Sequence, residues 1–230
     1  MMLDRPVYDS LATRHAQFSL GGDRARRFAL DIGPLASARD DEPESLAALA
    51  ELVPPDGTLL LLQVDPIVLP PSLAATVSAR GVQMVVDRLA DAPPDPRIVP
   101  LTTDDAPAML ALATLTRPGP FAARTHLLGD FVGIKDHDVL VAMAGERMKH
   151  AGCTEVSGVC TRPDARGRGY ARSLSAHIAR RIIERGEVPY LHAYATNTAA
   201  IQLYESLGFR LRSSMYVAQV ARVGGGGSSS

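Results

Sequence analysis

Apolar residues in the second half of the chain return at helical spacing over about residues 167–185. Leu174, Ile178, Ile182 and Ile183 form one stripe, and Arg180, Arg181 and Arg185 form the wet side. Gly186 supplies the stop. A shorter helix is expected over 197–207, with Asn197 as its N-cap, Ile201, Leu203 and Leu207 as apolar contacts and Gly208 as its end. Apolar runs read as strands over 98–101, 131–135, 139–144, 155–161 and 190–195, with the last strands between 209 and 220. Residues 136–138 join two of these strands, and 145–151 read as a turn. Thr102 or Thr103 can cap a helix over 104–116, where Asp104 and Asp105 suit the first turn. Residues 117–120 break it.

Before residue 90 the pattern is helix (44–52), strand (58–64), helix (71–80) and strand (82–87), punctuated by Gly57 and Gly81. Helices alternating with strands argue for an α/β (α+β) fold. Pro93, Pro94 and Pro96 make 90–96 a linker and put a boundary there. The expected organisation is an N-terminal α/β region over 1–95, a larger domain over 96–222 and a flexible Gly/Ser tail over 223–230.

Composition narrows the function classes. A chain of 230 residues can bury a core as one large or two small domains. Lys+Arg 24 against Asp+Glu 25 leaves a net charge of −1, which suggests neither a nucleic-acid nor a membrane partner. Arg24, Arg26 and Arg27 read as a solvated basic face. No apolar run nears the roughly 18–20 residues that cross a bilayer. The first fifteen residues lack an apolar signal core, so a cytoplasmic protein is expected. Cys153 and Cys160 do not have zinc spacing, and no metal is expected. Seven residues apart on one strand, they should face opposite ways.

The densest chemistry lies in VCTRPDARGRGYAR, residues 159–172. A strand meets Pro163, then a Gly-rich turn opens into the long amphipathic helix. A helix start offers unpaired N–H groups and partial positive charge, which suits a phosphate. Gly167 and Gly169 let the backbone approach an anion, and Arg166, Arg168 and Arg172 add charge. A dinucleotide loop would need a third glycine, where Arg172 stands, and an acid at the end of the next strand, which reads YLHAYATN. Both are missing, leaving a diphosphate on another nucleotide or coenzyme.

Arg166-Gly167-Arg168-Gly169-Tyr170-Ala171 resembles the [Q/R]-x-x-G-x-[G/A] motif of the GNAT (Gcn5-related N-acetyltransferase) superfamily, and NTAAIQLYESLGF (197–209) resembles its second coenzyme motif. The resemblance covers about 97–220 and implies the GNAT fold, a central mixed twisted sheet with helices on both faces. It implies that residues 167–172 hold the CoA pyrophosphate with Arg166 opening the motif, and that Asn197 contacts the coenzyme. Val159, Cys160 and Thr161 would pair with the pantetheine arm and polarise the thioester carbonyl. Tyr204, otherwise a half-buried core tyrosine, would protonate the leaving thiolate. Acetyl-CoA would be the acyl donor. For the amine proton the resemblance offers Glu155, expected by alternation to share a face with Ser157, Val159 and Thr161, and His192 on the next strand, or a water relay. His126, His137, His150 and His177 have no positional argument.

The wording of the two motifs is most similar to the branch related to glycine N-acyltransferases. That implies an acceptor amine on a small molecule or amino acid, and an N-terminal region that walls the acceptor site or supports a homodimer. Two alternatives stay open: a non-catalytic acyl-CoA-binding regulatory module, and a protein N-terminal or lysine acetyltransferase.

Overall fold

The computed structural model describes residues 3–224, so most of the tail read over 223–230 lies outside the described residues. The chain begins with helix α1 (Pro6–Ala12), strands β1 (Ser19–Gly21), β2 (Ala25–Phe28) and β3 (Leu35–Ala38), helix α2 (Pro43–Leu52) and strands β4 (Leu59–Gln63) and β5 (Leu73–Val85). It continues with β6 (Ile98–Leu101), α3 (Ala106–Thr116), β7 (Phe131–Asp136), β8 (Val139–His150), β9 (Cys153–Thr161), α4 (Tyr170–Glu184), β10 (Val188–Tyr194) and α5 (Thr198–Ser206). It closes with β11 (Arg210–Arg222). Two compact units result. Within the described residues the first takes 3–30, 34–81 and 213–224, and the second takes Asp31–Gly33 and Val82–Arg212.

In the first unit β1, β2 and β3 pair antiparallel, β3 and β4 parallel, and β11 runs antiparallel to β4 from Tyr216↔Gln63 to Val220↔Leu59. Leu46 and Leu49 of α2 turn inward onto Ala36, Leu59, Leu61 and Val220. Pro43 opens that helix, where its missing N–H costs no bond.

In the second unit the strand order is β10-β9-β8-β7-β6, antiparallel throughout except for the parallel pair β9 and β10. Helices cover both faces of this mixed sheet, as an α/β fold requires. On one face Leu174, Ile178 and Ile182 of α4, with Tyr204 and Leu207 at α5, pack onto Val132, Ile134, Val156 and Leu191. On the other, Met109 and Leu112 of α3 pack onto Phe131, Met143 and Cys160. The three α4 residues recur every four positions and are 0% exposed, each worth about 1.5–3 kcal/mol of burial. The helix closes with Gly186 N donating to Ile183 O (2.8 Å) and Glu187 N to Ile182 O (3.2 Å), the paired bonds of a Schellman cap.

Several local expectations yield to tertiary pairing. Residues 71–80, expected as a helix, lie almost wholly in β5. There Thr76 Oγ1 donates to Gln219 O (3.1 Å), and the Arg80 guanidinium sits 3.7 Å from the Tyr216 ring centroid. Helix propensity is a weak preference that a paired neighbour strand overrides. Residues 145–151, expected as a turn, carry β8 on to His150. Arg26 and Arg27 are half-buried in β2, while Arg24 is exposed as expected. The proline-rich segment 90–96 runs within the second unit, where Ala90 N donates to Leu207 O (3.0 Å) and Arg180 Nη2 to Ala92 O (2.6 Å). The units divide instead at Gly81–Val82 and Arg212–Ser213.

Among the described residues, no helix is long and apolar enough to cross a membrane.

Candidate functional site

The turn between β9 and α4 forms because the chain must leave a strand and enter a helix within a few residues. A single 3-10 turn at Pro163–Ala165 is followed by Gly167 and Gly169, both at φ +78°. A Cβ at either glycine would meet no atom within 4 Å, so the demand for glycine is conformational and the face stays open. The helix starts at Tyr170, three residues later than its sequence pattern suggests. Its first internal bond runs from Ser173 N to Gly169 O (3.0 Å). The N–H groups just ahead of it lie where a helix has no acceptor of its own, and they carry the positive end of its dipole. Arg166 and Arg168 are exposed here, and Arg172 donates to Ser206 Oγ on α5. Asp164 is the local counter-charge, and Arg162 already holds it (Nε to Oδ1, 2.7 Å). The arrangement fits a diphosphate.

Beside this turn the sheet opens. The parallel register of β9 and β10 runs from Cys153↔Val188 to Glu155↔Tyr190 and stops, although β9 continues to Thr161 and β10 to Tyr194. The β9 edge over 157–161 is therefore free of β10 and can pair with an extended chain such as a pantetheine arm. Thr161 Oγ1 is buried there with no hydrogen-bond partner among the described residues.

Two bulges decide which side chains meet. Met143 pairs with Cys160 and Gly145 with Ser157, so three steps on β9 face two on β8. The extra residue falls at Gly158, φ +63°, which lets the strand take the kink. After it the faces invert. Val156 and Val159 both pack beneath α4, while Cys160 packs against α3. The expectation that Glu155 and Val159 share a face is thus corrected, as is the placing of the two cysteines on opposite faces. Burial pushes the Cys160 thiol up to about 11, so its side chain is a packing group. The second bulge is on β8. Glu146 pairs with Val156 and Lys149 with Thr154, which sets both Arg147 and Met148 against Glu155.

Glu155 is 1% exposed and accepts four hydrogen bonds. They come from Arg147 Nε (2.8 Å), Arg147 Nη2 (2.7 Å), Met148 N (3.3 Å) and His192 Nδ1 (2.8 Å). Burial alone would raise the carboxyl, but the Arg147 guanidinium and the His192 bond outweigh it and hold it well below the usual carboxylate range. Such a carboxylate is a weak base with its acceptor positions filled, which counts against Glu155 as the group that takes a proton directly.

His192 continues the chain of bonds. Its Nε2 lies 2.9 Å from Gln83 Nε2, and Arg212 Nη1 donates to Gln83 Oε1 (2.8 Å). Tyr190 sets its ring edge-on to His192 at 5.6 Å, donates to Met148 O (3.2 Å) and meets His150 Nε2 at 2.7 Å.

Tyr204 is 8% exposed on α5, edge-on to Phe209 at 5.9 Å. Burial, joined by the charge of Glu155, pushes its phenol up to about 12, so it keeps its proton at any ordinary pH. Asn197 caps α5 as expected, its Oδ1 accepting from Ala200 N (3.2 Å). His126 has both ring nitrogens buried without a partner among the described residues, and burial, aided by Arg181 and Arg180, lowers His177. Among the described residues no group of three His, Cys, Asp or Glu side chains is placed to hold a metal.

Three residues of this site are absent from the sequence reading. Gln83 had a signal, as the polar interruption of the apolar run 82–86, and its strand was foreseen. Arg147 and Arg212 had none, because a bulge and a distant strand bring them in.

Residues 131–218 match the family model described as FR47-like protein, a stretch that includes the Gly-rich turn and Tyr204. No curated protein matches. Among solved structures, an acetyltransferase assigned to the GNAT family from Novosphingobium aromaticivorans is similar at 41% identity, over 97% of this chain and 99% of its own, with a TM-score of 0.91. A GCN5-related N-acetyltransferase from Kribbella flavida is similar over 93% of this chain and 95% of its own, with a TM-score of 0.62. At 15% identity that is a likeness of fold alone.

Proposed function

The chain belongs to the GNAT family of acetyltransferases, and from that premise we propose that it transfers an acetyl or other small acyl group from acyl-CoA to a primary amine of a small molecule or amino acid. The observation that carries this reading is the opening of β9 from β10 beside an unsatisfied helix start, with a protonated tyrosine buried near Glu155. A module that only bound CoA would need the turn and not the tyrosine.

When bound, acyl-CoA supplies the acyl group as a thioester. The N–H groups of residues 167–172, with Arg166, would hold its diphosphate. The freed edge at Val159, Cys160 and Thr161 would pair with the pantetheine arm and aim backbone donors at the carbonyl. Asn197 would border the coenzyme. Tyr204, kept protonated by its burial, would give its proton to the departing sulfur. Residues 96–222 are read as the catalytic part, in the branch related to glycine N-acyltransferases, and a cytoplasmic setting suits the chemistry. The first 95 residues would wall the acceptor or support a homodimer.

Thiol release from acetyl-CoA, measured with small amines, amino acids, an N-terminal peptide and a lysine peptide, tests this. Release with small amines is expected, and Tyr204→Phe should slow it by about 100-fold, the lower range for a general acid. Coenzyme binding without release would move the reading to a non-catalytic module. Release with peptides alone would move the acceptor to proteins.

A further inference from the structure

Glu155 and His192, rival acceptors for the amine proton on sequence grounds, are hydrogen-bonded at 2.8 Å and divide one task between them. We propose, resting on the acyl-transfer reading above, that His192 takes the proton at Nε2, and that Glu155 and Gln83 are positioning residues that decide which nitrogen of the ring is free to do so.

Arg212 can only donate, so the Gln83 oxygen faces it and the Gln83 amide N–H turns to His192. An amide N–H needs an acceptor, so His192 presents the Nε2 lone pair and keeps its own proton on Nδ1, donated to Glu155. The carboxylate is itself clamped by two bonds from Arg147. A proton arriving on Nε2 would therefore create an imidazolium already paired with a fixed carboxylate, the division of labour seen wherever a carboxylate orients a catalytic histidine. Gln83 is neutral, so an incoming amine N–H can replace it on the lone pair without stranding a buried charge. Among the described residues the charged and titratable groups of this network are Glu155 on β9 and Tyr190 on β10 against the ring, Arg147 on β8 and Tyr204 on α5 facing Glu155, Tyr194 on β10 facing Arg147, and Arg212 on β11 behind Gln83.

The protons balance. As the amine nitrogen bonds to the acyl carbon and the carbon–sulfur bond breaks, the amine proton passes to His192 Nε2 and the Tyr204 proton to the sulfur. Solvent then returns a proton to Tyr204 and removes one from His192, so the protein ends as it began.

The pH dependence of kcat/KM, with ring-nitrogen chemical shifts of His192, provides the test. Wild type should show a limb that rises as one group loses a proton. His192→Ala should lose that limb, fall about 100-fold in kcat and be partly restored by added imidazole, the signature of a missing base. Glu155→Gln should move the limb to lower pH, since the imidazolium loses its paired carboxylate. In the shifts, wild type should carry the proton on Nδ1, and Gln83→Leu should mix in the Nε2–H form. An unchanged limb in His192→Ala, no imidazole rescue, or an Nε2–H ring in wild type overturns the proposal. Imidazole rescue and the wild-type shifts need no substitution at buried Glu155, should that variant fail to fold. If wild type releases no thiol with any amine, the acyl-transfer reading fails, while the wild-type shifts still decide the tautomer lock.

Discussion

Replacing Arg147 with Met tests whether the buried carboxylate is held by its guanidinium. Arg147 is 10% exposed at its side chain and Glu155 1%, so solvent screens little of the pair. Arg147 supplies two of the four bonds that Glu155 accepts. Removing it leaves a buried charge with only Met148 N and His192 for partners, a loss of about 3–5 kcal/mol. At about 2–4 °C per kcal/mol for a chain of this size, the melting temperature should fall by about 6–20 °C. The pH dependence carries the sign. In wild type the carboxyl is depressed, so its contribution is present above the ordinary value of 4.5 and is lost as pH falls. In Arg147→Met burial dominates and the carboxyl is raised, so stability is lost as pH rises. The gap between the two proteins should thus be wide at pH 8 and narrow near pH 5. The double variant Arg147→Met/Glu155→Leu should recover most of the loss, because no buried charge remains. Urea midpoints followed by circular dichroism at both pH values measure all three proteins. A loss under about 1 kcal/mol at pH 8, an equal loss at both pH values, or a double variant as weak as the single would refute this account.

Other outcomes follow from the same geometry. Gly169→Val places a β-branched side chain at φ +78°, strain of about 1–3 kcal/mol, and should weaken CoA binding by about 5- to 150-fold in calorimetry. A spectrophotometric titration, wild type minus Tyr204→Phe, should show a tyrosine ionising near pH 12. Because that pKa is raised, its contribution to stability is intact below about 10 and is lost as pH climbs through about 12. Truncation before Pro96 removes β4, the pairing partner of β11 over Tyr216–Val220, and should give aggregates on size exclusion through the bared edge. A soluble monomer would show that β11 does not depend on that pairing.

How far the site could be read follows from the range of each interaction. The Gly-rich turn, the α4 stripe and the Asn197 cap depend on neighbours within about four positions, so spacing alone exposes them. Strands β6, β7, β9 and β10 and the first half of β8 were legible for a similar reason, since an apolar run is local. The helix expected over 71–80 failed because strand pairing, which no window sees, outweighed propensity in β5. Glu155 and His192 were found by position, yet their relation was not. It depends on the parallel register that sets Tyr190 against Glu155, while the Arg147 clamp depends on an extra residue at Arg147–Met148.

By itself the sequence determined the local devices of this protein: where the Gly-rich turn lies, where its helix stops, and which tyrosine follows. Those choices are made by backbone sterics and short-range periodicity. Only the tertiary structure decided that residues 73–80 join β5, that β5 and β11 are divided between the two units, that Val159 turns away from Glu155, and that Gln83 bonds both Arg212 and His192. Register and bulges are long-range pairings, set when separate strands meet, and one inserted residue reverses every face beyond it.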